Sequence, residues 1–119
     1  MVMSFFRKSS DETGLGHVAQ QTISMLSDAW HSFDLASTVV LSGADPGGVG
    51  ADIEATDERI NSAEQRLRSE LVVHVSVRGG GDIGLVLGYT LLLKKIERIG
   101  DQAKNIYELA ADGVSLAGA

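Results

Sequence analysis

There is no cysteine in this chain of 119 residues. That absence excludes disulfides and thiolate metal sites, and it leaves oxygen and imidazole as the only metal donors. Proline occurs once, and aromatic residues make up 5% of the chain. So few of each suit a helical protein better than a β-sandwich. Lysine and arginine number 10 against 16 acidic residues, for a net charge of −6 and a pI near 4.9. A nucleic-acid surface needs clustered cations, so that partner class is excluded. The acidic balance is compatible with solubility and with cation binding. No long hydrophobic run is present either. The most apolar stretch, IGLVLGYTLLL from Ile83 to Leu93, is about half the ~20 residues a membrane span needs. The start, MVMSFFRKSS, has Arg7 and Lys8 but no apolar core of a signal peptide. We therefore expect a cytoplasmic protein. Phe5 and Phe6 read as a frayed terminus in preference to a membrane or partner contact.

What is present is helical periodicity between glycine-rich breaks. SGADPGGVG, Ser42 to Gly50, and RGGGD, Arg78 to Asp82, interrupt any helix. Asp82 stands where an N-cap belongs. The tail from Asp112 is a third stop. Segment one, about 14–41, repeats Val18, Thr22, Met25, Ala29, Phe33, Ala36 and Val40 at three- and four-residue steps, with Leu26 and Trp30 widening the stripe. Segment two, about 50–77, carries Ile53, Ile60, Ala63, Leu67 and Leu71. Its end, Leu71 to Val77, is β-branched and admits a strand, but a lone strand would have no partner. Segment three, about 82–111, carries Leu85, Tyr89, Leu92, Ile96, Ile99, Ala103, Ile106 and Ala110. The fold class expected is all-α. One domain, 1–119, forms an antiparallel three-helix bundle.

The third helix poses the chemical question. Glu97, Asp101 and Asn105 recur at four-residue steps and fall within about 80° of one another on the helical wheel. Their arc lies opposite the apolar stripe, which turns it away from the bundle core. On spacing alone, a solvated face laced by Lys94–Glu97, Arg98–Asp101 and Lys104–Glu108 pairs outweighs a site. The competing reading is carboxylates one turn apart chelating a hard cation. Two carboxylates do not fill a coordination sphere, so other helices or another subunit must contribute. Gly100 costs its helix roughly 1 kcal/mol relative to alanine, which points to close helix packing. Gly84 and Gly88 suggest the same.

These residues carry a family resemblance. LLLKKIERIGDQAKNIYELA, Leu91 to Ala110, resembles the signature helix of the PhoU family of phosphate-uptake regulators. Ile96, Glu97, Arg98, Ile99, Gly100, Asp101, Ala103, Asn105 and Ile106 stand where that signature asks for them. Gln102 replaces a frequent histidine. Upstream, Asp57, Ile60, Asn61 and Glu64 fit the family's preceding helix. The link RGGGDIG keeps Asp82 but not the Leu-Arg that follows it in the family. The resemblance implies a three-helix bundle, commonly found as two in tandem. It also implies metal at E(D)xxxD motifs, including multinuclear iron. Glu97 and Asp101 then become metal ligands, Asp57 and Asn61 complete the site from the neighbouring helix, and Asn105 is a further candidate. The metal is iron, Mn, Zn or Mg. The implied function is regulation of phosphate transport or phosphate signalling, with a transporter or sensor kinase as protein partner and a membrane met only peripherally, through that partner. One bundle where two are usual implies a homodimer or higher homo-oligomer.

Other residues carry less. His17, His31 and His74 are scattered and read as surface histidines, and Trp30 reads as core. Gly79 to Gly81 read as a hinge in preference to a phosphate loop. No HExxH, Walker loop, GxSxG or GxGxxG occurs, so an enzyme is the weakest reading. The main alternative to a metal-binding regulator is a structural helical interaction module without metal.

Overall fold

Glycine and proline set the boundaries of the helices. The computed structural model describes residues 14–117, so the Phe5-Phe6-Arg7-Lys8 segment lies outside the described residues. Helix α1 spans Gly16–Ser42, α2 spans Gly50–Arg78 and α3 spans Ile83–Ala111, with a 3-10 turn at Pro46–Gly48. Helix α1 stops because Gly43 takes a left-handed conformation, φ 73°, and donates its N–H to the Val39 carbonyl at 3.0 Å. The 3-10 turn starts on Pro46, whose fixed φ suits a first helical position, while Asp45 accepts from the Gly47 N–H at 3.0 Å. Helix α2 ends at Gly79, φ 77°. Past α3 the tail returns, and the Leu116 N–H reaches the Val40 carbonyl at 2.9 Å. That bond satisfies one of the free carbonyls at the end of α1.

The helices alternate in direction. His17 meets Glu70 and His31 meets Asp52, so α1 and α2 are antiparallel. Lys104 meets Asp57 and His74 meets Asp82, so α2 and α3 are antiparallel as well. The three pack against one another as the expected all-α three-helix bundle. The main core joins Met25 and Ala29 of α1, Ile60, Leu67 and Leu71 of α2, and Tyr89, Leu93 and Ile96 of α3, all nearly inaccessible to water. Each large apolar side chain buried this way contributes about 1.5–3 kcal/mol. Towards the other end a smaller cluster gathers Ala36, Ile53 and Ala103 under Phe33 and Tyr107.

Several expectations need correction. Trp30 is 65% exposed and Leu26 39% exposed. They lie beyond the arc that α2 and α3 cover, and Ser32 and Val39 are buried in addition to the expected stripe. On α3 the buried line runs through Val86, Leu93 and Gly100, while Leu85, Leu92 and Ile99 are only partly buried. The Leu71–Val77 stretch is helical, as preferred above, with Val72, Val73 and Val77 standing in solvent. A Cβ on Gly84 would meet nothing within 4 Å, so that glycine marks no close approach. Gly100 does, because its Cβ would lie 3.1 Å from Ile60 Cδ1 of α2.

Candidate metal centre

The site is built on the seam between α2 and α3. Antiparallel pairing brings residues near 57 on α2 level with residues near 101–104 on α3. The close approach at Gly100 and Ile60 holds the two backbones together there. Glu97 is not on a fully solvated face, since its side chain is 20% exposed. Asp57 is more enclosed, at 13%. Thus the acidic ladder leans onto α2 instead of facing wholly away from the bundle.

Asp57 is the centre of the arrangement. Its Oδ2 accepts from Asn61 Nδ2 at 3.4 Å, one turn along α2. Lys104 Nζ approaches the same oxygen at 3.7 Å across the seam. The other carboxylate oxygen, Oδ1, is buried and has no hydrogen-bond partner. Such an orphaned acceptor carries a desolvation cost. Glu97 is paired with Lys94 Nζ at 3.2 Å. Asp101 stands at the rim, and its carboxyl is held above the ordinary carboxylate range. Partial burial is the first cause, followed by the charges of Asp57 and Glu97, with Lys104 and Lys94 opposing them. Asp57, Glu97 and Asp101 therefore form one electrostatic group spanning two helices.

Of the expected surface pairs, Lys94–Glu97 forms. Lys104 turns to Asp57 instead of Glu108, because the seam offers it a more enclosed carboxylate. No Arg98–Asp101 pair forms among the described residues. Asn105 is exposed and makes no side-chain hydrogen bond to the described residues, so the structure does not bring it into the group. Among the described residues no set of three or more His, Asp or Glu side chains is arranged to hold a metal ion. The donor chemistry still suits a hard cation. All donors are oxygens, one is an orphaned buried carboxylate oxygen, and the group carries mutual repulsion that a cation would relieve.

The sequence reading missed two buried polar features. His74 is buried, and its Nε2 lies 2.7 Å from Asp82 Oδ2. Asp82 occupies the N-cap position of α3 but makes no side-chain capping bond, because its carboxylate is turned to His74. Glu64 is almost wholly buried and accepts from Arg68 Nη2 at 2.9 Å. A lone histidine or glutamate on a helix gives no warning that a neighbouring helix will close over it. His17 and His31 are surface histidines as expected, each beside a carboxylate on α2.

A family model for the PhoU domain matches residues 15–110. This chain belongs to the PhoU family. The match runs from the residue before α1 to Ala110, one residue short of the end of α3, and so takes in the bundle. No curated protein and no solved structure matches the chain significantly. PhoU proteins are regulators of phosphate transport and its signalling, a regulatory family and not an enzymatic one. No helix among the described residues is long and apolar enough to cross a membrane.

Proposed function

We propose that this PhoU chain is a metal-binding helical adaptor that regulates phosphate transport or phosphate signalling and performs no catalysis of its own. The observation that carries the metal reading is Asp57. A buried carboxylate oxygen without a partner, beside Glu97 and Asp101, is a place where a cation would gain most. Asp57, Glu97 and Asp101 would hold the ion, with Asn61 supporting Asp57 and Asn105 at the edge. A hard ion such as iron, Mn, Zn or Mg would neutralise the three charges and fasten α2 to α3. Lys94 and Lys104 fill part of that role in the metal-free chain. The adaptor would work in the cytoplasm by docking on a transporter or sensor kinase, and it would assemble as a homodimer or higher oligomer.

The second reading, a helical interaction module without metal, is favoured by one observation. Lys104 and Lys94 already sit on Asp57 and Glu97, which weakens the call for a cation. Elemental analysis separates the two. The purified chain and its Glu97→Gln/Asp101→Asn variant are exposed to Fe, Mn, Zn and Mg, dialysed and measured. We expect stoichiometric metal in the parent and its loss in the variant. Metal in neither leaves the module reading. Steady turnover of a phosphoester by the loaded parent would overturn the non-enzymatic assignment. The regulatory role is tested by deleting the gene in its host, where phosphate uptake should rise under phosphate-replete conditions.

A further inference from the structure

Helices α1 and α3 run parallel and side by side, and their shared outer face is apolar. Trp30 is 65% exposed, Leu91 67%, Leu87 56% and Ile23 45%. Trp30 stacks on Phe33, with ring centroids 6.0 Å apart and planes inclined at 19°. Phe33 in turn lines a cleft of about 340 Å³ with Lys95, Arg98, Ile99 and Gln102 of α3. Single exposed apolar residues are ordinary, but a stacked tryptophan beside an open cleft, with Leu91 one helical turn before Lys95 of that cleft, makes a patch. Tryptophan is also the residue most enriched at binding hot spots.

Charge narrows the choice of occupant. Asp34, one turn beyond Trp30 on α1, has no ion-pair partner among the described residues. Lys95 and Arg98, at the rim of the cleft on α3, have none either. An acidic partner would suit the two cations but leave Asp34 facing a like charge. A basic partner would do the reverse. A second copy related by a twofold axis along the helices satisfies both, because that axis sets α1 of each copy against α3 of the other, and Asp34 then faces Lys95 and Arg98. The face is also large enough. Twenty helical residues span about 30 Å, and two helices side by side span about 20 Å. That footprint is on the scale of the ~800 Å² per partner found in stable interfaces.

We infer that the α1/α3 face centred on Trp30 is the surface through which two copies of this chain pair, parallel and isologous, with Trp30 buried at the centre. The inference rests on the oligomeric part of the proposed function and is independent of metal. It is therefore tested on metal-free protein.

The chain contains one tryptophan, so Trp30 reports directly. Sedimentation velocity of the full chain should give twice the 12.6 kDa chain mass. Over the same dilution range, dissociation should shift the tryptophan emission to the red and restore quenching by acrylamide. Leu91→Lys should give a monomer with water-exposed Trp30, whereas Val77→Lys, on α2, should leave the dimer intact. Asp34→Lys and Arg98→Asp should each be monomeric alone. Mixed together they should form a heterodimer, because each then supplies the charge the other lacks. A chain that stays monomeric at all concentrations overturns the inference. So does a dimer that persists in Leu91→Lys with Trp30 still open to quencher. Stoichiometric metal in a monomeric chain would sink this surface while sparing the metal reading.

Discussion

Gly100 and Asp101 are adjacent, and each shapes the seam in its own way. A Cβ at position 100 would press on Ile60 Cδ1, whose side chain is buried in the main core. In Gly100→Ala the helix-propensity gain of roughly 1 kcal/mol is offset by that crowding. The variant should stay within about 1 kcal/mol of the parent. Gly100→Leu has no room and should lose about 1–3 kcal/mol, with α3 pushed off α2. Chemical denaturation of the three proteins decides this, and an unharmed leucine variant would dismiss the close approach. Asp101 acts through charge. Its folded-state carboxyl binds a proton more readily than the same group in the unfolded chain, because of partial burial and then the charges of Asp57 and Glu97. Its negative charge therefore opposes folding above the folded pKa. The opposition fades as pH falls through that value and is gone below the ordinary 3.8. Asp101→Asn should make the metal-free chain more stable near neutral pH, with the advantage vanishing below about pH 3.8. Melting curves at several pH values read this out, and an asparagine variant less stable at pH 7 would contradict it. The signature spacing singled out Glu97 and Asp101, and the resemblance added Asp57. Nothing in the sequence placed Lys104 on Asp57, because that pairing depends on the register between two helices.

The hinge between α2 and α3 shows what helix boundaries reveal and what they conceal. Three successive glycines between Arg78 and Asp82 announce the turn, and the helices end within one or two residues of the expected positions. Position 82 reads as an N-cap, and by location it is one. Its carboxylate, however, belongs to His74, one turn before the end of α2, at 2.7 Å. The pair straps the C-terminus of one helix to the N-terminus of the next across a segment with little conformational preference of its own. Asp82→Ala would leave the buried imidazole without this partner. A loss of about 1–3 kcal/mol is expected, with faster amide exchange in the last turn of α2 and the first turn of α3. Asp82→Asn keeps a hydrogen-bonding group and should recover much of the loss. An alanine variant with parental stability and exchange would show the strap to be idle. The apolar stripes show a related limit. Period alone identified all three helices, but α1 has more apolar surface than its two neighbours cover. Which flank is left over, here Ile23, Leu26 and Trp30, follows from the packing angle of the helices and not from their sequence.

That leftover flank matters because of the shape of the bundle. Its principal extents are 54 × 25 × 16 Å and its Cα radius of gyration is 17.1 Å, against about 13 Å for a compact domain of this length. A rod only three helices thick has much surface for its volume and leaves many apolar side chains without cover. Pairing along the α1/α3 face thickens the rod without lengthening it. Pairing through the ends, where Val77 and Leu116 are also exposed, would lengthen it. Small-angle scattering distinguishes the two. Side-by-side copies of a 17.1 Å rod should give a radius of gyration of about 20 Å and an almost unchanged maximum dimension for the helical part. End-to-end copies should give about 32 Å and nearly double that dimension. The side-by-side arrangement also leaves the α2/α3 carboxylate seam of each copy on the outside, open to metal and to a partner protein. A dimer with the larger radius would remove Trp30 from the interface and leave α1 and α3 free to meet the regulated partner instead.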